Sequence, residues 1–311
     1  MVCGMSCSTK SNAPPTRHGV SASCVVLPEG AWHSVFDFLV ERFAHIEPSV
    51  WQQRFAKGLV LNQQGFALRA DAPYTAGHKV FYYRELPDEP ALAAREQVLF
   101  QDAHMVVVDK PHFMPVTPAG RYVQRSLLVR LKQRLGIDTL SPMHRIDRET
   151  AGLVLFSINP NERDAYHALF RSHAVHKVYE AVAPVRSDVS MPITRTSRIA
   201  SDVQFFKSCE VAGEPNSETH VGLVKQEGAL GLYRLTPVTG QRHQLRVHMN
   251  ALGLPIVGDQ FYPKVLRGPH EEDDHSQALQ LLAKGVSFID PITGKPRSFV
   301  SQQTLSISAE C

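Results

Sequence analysis

Between residues 97 and 300, strand-like and helix-like segments interleave without a regular period, and this restricts the possible folds more than any other feature. "VLFQDAHMVVVDKP" (98–111) contains two apolar strand candidates, stopped by Pro111, which has no N–H for a ladder. "GLVLFS", "KVYEAVAPV", "HVGLVKQEGALGLYRLTPV" and "GKPRSFVSQQTLSI" read as further strands. Helical spacing is expected in "RYVQRSLLVRLKQRLG", "NERDAYHALFRSH", "QRHQLRVHMNALG" and "HSQALQLLA". Val221–Lys225 and Gly231–Leu235 flank a glycine-bearing turn in the manner of a hairpin. Such an order argues for an α+β chain with an antiparallel or mixed sheet, not for a doubly wound parallel one.

Upstream the texture differs. Residues 1–25, rich in Ser, Pro and Thr, cannot bury much and are expected to be a disordered tail. Residues 26–87 read as a small α/β module: a helix in "HSVFDFLVERF", a second near "PSVWQQRFAKG" with Pro48 at its start, then short strands. A Pro-bearing acidic linker covers 88–96, and the main domain runs over 97–311. With 311 residues and 43% hydrophobic, the chain suits one medium domain and one small one.

The net charge of +3 is compatible with a polyanionic partner without requiring one. Five scattered cysteines, none in a C-x-x-C spacing, fit a reduced compartment without a disulfide framework or structural zinc. No apolar run approaches membrane-spanning length, and the first twenty residues lack a signal-peptide core. The expectation is a soluble cytoplasmic protein.

Four stretches could carry chemistry. "SPMHRIDRETAGLVLFS" (141–157) sets Asp147 between Arg145 and Arg148, directly ahead of a strand. Neighbouring guanidinium groups keep a carboxylate charged, which suits a nucleophile. Composition alone favours an ordinary surface ion pair here. In 233–263, Leu245, Met249 and Leu252 mark the buried face of a helix, while Arg242, His243 and Arg246 gather donors on one flank. In "HKVYEAV", Lys177 and Tyr179 share one face of a strand. "HEEDDH" (270–275) resembles a metal cluster in composition but lacks H-E-x-x-H spacing and reads as a solvated loop. Five basic residues and no acid between Arg121 and Arg134 suggest a solvated helix face first and a phosphate-facing surface second.

Taken in order, these stretches resemble the RluA-type RNA pseudouridine synthases. "MHRIDRETAGLVLF" is similar to that family's H-R-L-D-R-x-T-S-G-L-L-L signature, and "VVVDKPHFMPVTP" to its D-K-P-x-G-x-P-V-x-P segment. "KVYEAV" is similar to its K-x-Y strand, and "TGQRHQLRVHMNALGLPIVGDQFY" to its T-G-R-T-H-Q-I-R-V-H stretch ending in G-D-x-x-Y. Together with "LQLLAKGVSFIDPITGKP", the resemblance covers residues 97–301. Phe113 stands in place of the usual glycine, Ala151 in place of serine, and Gln241-Arg242 in place of Arg-Thr. These departures bear on loop conformation and target choice and leave the acid, the tyrosine and the second arginine in place.

The resemblance implies the pseudouridine synthase fold, a mixed and mostly antiparallel sheet with flanking helices and a central cleft, preceded by an alpha-L-like RNA-binding module. It implies isomerisation of uridine in structured RNA, ribosomal RNA first and transfer RNA next, with no metal and no cofactor, by a monomer. By resemblance Asp147 is the catalytic aspartate, Arg246 pairs with it, and Tyr179 stacks on the uracil. Leu245 lines the base pocket, Arg145 contacts RNA around the displaced nucleotide, and Arg148 and His144 complete the substrate-binding set. The target base must leave its stack to reach Asp147. Two rivals remain at this point: a metal-dependent RNA hydrolase using His270, Asp273 and His275, and a non-catalytic RNA-binding module of the same fold.

Overall fold

A computed structural model describes residues 14–84, 89–92, 94–204, 206–268, 271 and 274–307. The chain divides into two compact units: the described part of Met1–Pro90 with Gly120–Gln124, and Ala91–Ala119 with the described part of Arg125–Cys311.

In the smaller unit a three-stranded antiparallel sheet, in the order β1 (Ser23–Val26), β3 (Lys79–Tyr82), β2 (Val60–Leu61), packs with α1 (Val35–Arg42) and α2 (Pro48–Ala56). Ser34 starts α1 through a reciprocal capping box: Asp37 N–H donates to Ser34 Oγ and Ser34 N–H to Asp37 Oδ2, both at 3.1 Å. Pro48 opens α2, where a missing N–H costs nothing. Val35, Phe38, Leu39, Trp51, Phe55, Val60 and Val80 form the core. Strand β1 begins inside the stretch expected to be a disordered tail, with Ser23–Val25 in it and Val26 just past it. The four residues Ser23–Val26 pair with Lys79–Tyr82, and that ladder recovers the backbone polar groups that side-chain composition left out of account. Residues 1–13 of the expected tail lie outside the described residues.

The larger unit is built on one eleven-stranded mixed sheet. Its elements in chain order are β4 (Gln97–Gln101), β5 (Met105–Lys110), α3 (Leu127–Leu135), β6 (Ser141–Pro142), β7 (Ala151–Ser157) and α4 (Arg163–Arg171). Then come β8 (His176–Pro184), β9 (Ile193–Ser201), β10 (Ser208–Val211), β11 (Ser217–Glu227), β12 (Leu230–Pro237), α5 (Gln244–Ala251), β13 (Leu281–Ile289) and β14 (Pro296–Val300). The spatial order is β10-β9-β11-β12-β8-β13-β7-β5-β4, with β14 also on β13 and β6 also on β7. Only β13–β7 is a parallel pair among those described. The expected hairpin is β11–β12.

The unbroken apolar runs of β5 and β7 reflect burial on both faces. Met105, Val107, Leu153 and Leu155 pack with Tyr166 of α4, while Val106, Val108, Val154 and Phe156 pack with Leu127 and Leu131 of α3. Each such side chain contributes about 1.5–3 kcal/mol of burial. This doubly covered centre makes β7 a rigid base for the loop preceding it.

Several expected elements differ. No helix forms over 275–283. Leu279, Leu281 and Leu282 are buried as the chain enters β13, because a short apolar run fits a buried strand as well as a helix. Helix α3 starts at Leu127, six residues later than Arg121. Arg130 and Arg134 of its basic face both reach Glu96, at 2.8 and 3.3 Å, so at least these two are engaged within the protein. The last strand stops at Val300. Beyond it Asp109 accepts bonds from Ser301 Oγ, Gln302 N and Gln303 Nε2, and Lys284 Nζ donates to the carbonyls of Ser301 and Gln303. Strands β9 and β10 have weak apolar alternation and escaped the sequence reading.

Candidate active site

Asp147 sits in the loop between β6 and β7. Three local contacts hold that loop: Met143 N–H donates to Leu155 O at 2.8 Å, Thr150 N–H to Asp147 O at 3.2 Å, and Lys110 Nζ to Arg148 O at 3.1 Å. Lys110, at the end of β5, also donates to Pro111 O at 2.9 Å and is wholly buried. Burial pushes its ammonium down to about 7, against the opposing pull of Glu149 and Asp147. His112 Nδ1 donates to Glu149 O at 2.6 Å, adding a second tie from the "DKPHF" segment. Phe113 keeps a left-handed backbone, φ 62°, where the resembled motif has glycine, and meets His275 edge-on at 4.6 Å.

Strand β7 can come this close to β13 only because residue 152 is glycine. Its φ is 107°, and a Cβ there would stand 2.3 Å from Ala283 O. Strand β13 lies between β7 and β8 and so brings the strand bearing Tyr179 beside the loop bearing Asp147. Tyr179 packs against the cluster of Leu235, Leu245 and Met249. The next face of β8, with His176, Val178 and Glu180, lines an open groove of about 650 Å³ instead. Lys177 donates to Thr239 O at 2.9 Å and steadies the turn ahead of α5. Burial raises the Tyr179 phenol well above its ordinary range, and the Asp147 charge adds to the effect.

Helix α5 is buried almost throughout: every residue from Gln244 to Met249 is inside. Of the expected donor flank, His243 and Arg246 are therefore enclosed, while Arg242, just ahead of the helix, stays exposed. Arg246 gives Nε and Nη2 to Asp259, at 2.8 and 2.6 Å, and Nη1 to Asp147 Oδ2 at 3.5 Å. Glu149 Oε2 lies 3.7 Å from the same Nη1. Burial would lower the guanidinium, but bonding to Asp259 and the charges of Asp147 and Glu149 carry it above its ordinary value. Asp259 in turn accepts Phe261 N–H at 2.8 Å and Tyr262 N–H at 3.1 Å. The rings of Phe261 and Tyr262 lie 5.0 and 5.4 Å from the guanidinium carbon. The expected Arg246–Asp147 pair is present, looser than the contact to Asp259 and slightly closer than that to Glu149.

The remaining predicted residues divide. Leu245 is buried in the cluster that Tyr179 joins. Arg145 is exposed beside Asp147, whose own side chain is 26% exposed. Arg148 turns to Glu149 at 2.9 Å. His144 is not brought to the carboxylate group: its ring stacks on Phe170 at 4.9 Å, and Nε2 accepts Leu155 N–H at 3.3 Å. Burial, and then the charge of Lys177, push it down to about 4. These contacts hold His144 against α4 and β7, apart from the carboxylates around Arg246. His270 and Asp273 of the expected metal rival lie outside the described residues, and no cluster of three metal-binding side chains occurs among those described. Sequence reasoning assigned no role to Asp259, Glu149 or Lys110, and counted His243 only among a flank of donors. The first lies in the quoted "GDQFY", a signal that was present without a partner to pair it with.

Comparison with known proteins gives the family. A model of the RNA pseudouridylate synthase family matches residues 104–251. The dual-specificity RNA pseudouridine synthase RluA of Vibrio vulnificus is 34% identical over 204 residues, covering 63% of this chain and 78% of that protein. The chain belongs to the RluA-type RNA pseudouridine synthases. Another RluA, from Pasteurella multocida, is 30% identical, covering 68% of this chain and 94% of its own length. Among solved structures, human RNA pseudouridylate synthase domain containing 1 shares the fold, with a TM-score of 0.56, 21% identity, and coverage of 70% of this chain and 86% of that one. As an RluA-type enzyme the chain is an isomerase. Among the described residues no helix is long and apolar enough to cross a membrane.

Proposed function

We propose that this RluA-type synthase converts uridine to pseudouridine in structured RNA, ribosomal RNA first and transfer RNA next, with Asp147 acting on the ribose. The observation that carries the reading is the accessible Asp147 carboxylate, contacted at 3.5 Å by a buried guanidinium that is itself fixed by Asp259. The anion has the support of a charge that cannot titrate away, yet it stays reachable.

An extruded uridine places its ribose at Asp147 and its base toward Tyr179 and Leu245. Asp147 either attacks the anomeric carbon or takes a ribose proton. On either route the C1′–N1 bond breaks and the uracil turns; the C1′–C5 bond then forms as the Asp147–C1′ ester bond breaks or as Asp147 returns the C2′ proton, and N1 gains a proton while C5 loses one to solvent. Arg145 serves the displaced strand from the exposed side. Arg148, through Glu149, positions the loop. We place the enzyme in the cytoplasm as a monomer, with the smaller unit as an accessory RNA contact.

Tritium release from RNA labelled at uridine C5 tests the chemistry. The wild type is expected to release label from total ribosomal or transfer RNA, and Asp147→Asn to release at least about 1,000-fold less while still binding RNA. No release from either RNA pool with the wild type overturns the reading.

A further inference from the structure

We infer that His243 receives the 2′-hydroxyl of the target ribose, so that the enzyme distinguishes RNA from DNA at the nucleotide it isomerises. The inference deepens the reading above and rests on Asp147 acting at that ribose.

Tyr262 Oη lies 2.8 Å from Ser208 O, accepts Ser208 N–H at 2.9 Å, and stands 3.1 Å from His243 Nδ1. A carbonyl can only accept, so the single phenolic proton goes to Ser208 O. His243 Nδ1 must then carry the hydrogen that it shares with the phenol oxygen. The ring is held neutral: burial first, then the charges of Arg246 and Arg242, push the imidazolium down to about 3. A neutral imidazole protonated at Nδ1 has a bare lone pair at Nε2.

That nitrogen lies 3.9 Å from Asp147 Oδ1. Two acceptors oppose each other with no hydrogen of their own between them. The first consequence is for Asp147: Oδ2 meets Arg246, while no histidine N–H ties down Oδ1. The second concerns what fits there. The gap calls for a donor beside the atom on which Asp147 acts. In ribose the 2′-hydroxyl is attached to the carbon next to the anomeric carbon, so a carboxylate oxygen working at C1′ or C2′ leaves that hydroxyl to the neighbouring acceptor. Deoxyribose leaves Nε2 unpaired in an enclosed corner.

The ring cannot readily turn away. His243 stands at the start of α5 with φ 56°, stacks on Phe261 at 5.9 Å, and meets Tyr262 edge-on at 5.9 Å.

Two measurements test this. In the free protein labelled with 15N-histidine, long-range nitrogen–proton correlation is expected to show His243 protonated at Nδ1 and bare at Nε2. A hydrogen on Nε2 overturns the proposal before any RNA is added. The second uses a transcript that releases tritium, remade with 2′-deoxyuridine at the reacting position. Wild type is expected to bind the deoxy form about tenfold more weakly. His243→Asn, in which asparagine tolerates the left-handed backbone but is too short to reach, is expected to bind both forms alike, with its fold checked by thermal melting. Equal wild-type affinities overturn this inference alone. Failure of every RNA to release label overturns the Asp147 reading instead.

Discussion

Arg246 holds Asp259 with two nitrogens, at 2.8 and 2.6 Å, and reaches Asp147 with only its third, at 3.5 Å. The anchor of the guanidinium is thus Asp259, and Asp147 is the looser partner. Asp259→Asn keeps the shape and removes the charge. A buried guanidinium stripped of its main partner costs about 3–5 kcal/mol, so urea unfolding should show a loss of that order. With Nη1 no longer aimed, tritium release should fall at least about tenfold. Unchanged release would sink the idea that Asp259 positions Arg246.

Gly152→Ala addresses the join between β7 and β13. A methyl at 2.3 Å from Ala283 O, on a backbone at φ 107°, must push the strands apart. The expected cost is about 2 kcal/mol or more, read as a lowered melting temperature. Release of label should drop with it, since the same join carries the Asp147 loop.

Three buried histidines set the acid limit of the fold. Burial, as the leading cause, lowers His144 and His248 to about 4 and His243 to about 3. Their folded values lie below the unfolded one near 6.5, so between those values the unfolded chain holds more protons. Their contribution is complete above about pH 6.5 and is lost as pH falls through 4 toward 3. Unfolding near pH 5 should therefore take up roughly three protons from this group, measurable as the slope of unfolding free energy against pH. His144→Gln should remove about one of the three.

Lys110 acts in the alkaline range. Its folded value near 7 lies below the 10.5 of an ordinary lysine, so the folded form sheds its proton first. Stability should rise from pH 7 toward 10.5, by up to about 1.4 kcal/mol per pH unit from this group. Lys110→Met should be less stable at pH 9, through loss of the bond to Arg148 O, and should lack that rise. A rise that persists in Lys110→Met would assign it elsewhere.

Much of the site was legible because it is local. The Asp147 loop, the Tyr179 strand and the Leu245–Arg246 helix are short contiguous motifs whose elements could be read from periodicity and punctuation, while the roles of their residues came only from the family resemblance. What escaped was relational. Asp259 lies thirteen residues beyond Arg246 in a chain segment without regular structure, and only folded coordinates show the carboxylate turned back onto the guanidinium. His144 illustrates the converse. It shares a motif with Asp147, yet its ring goes to Phe170 while the acid faces Arg246. The helix expected over 275–283 failed for another reason: "ALQLLA" satisfies two periods at once, and the vacancy between β7 and β8 decided in favour of the strand.

Strand β13 has a temporal consequence. Asp147 and Tyr179 belong to neighbouring segments of sequence, but the strand that sets their spacing is supplied about a hundred residues later. During synthesis the nascent chain therefore carries both groups long before it can align them, and their proposed joint action waits until β13 has been made. A chain halted before Leu281 should lack activity however well its earlier helices form.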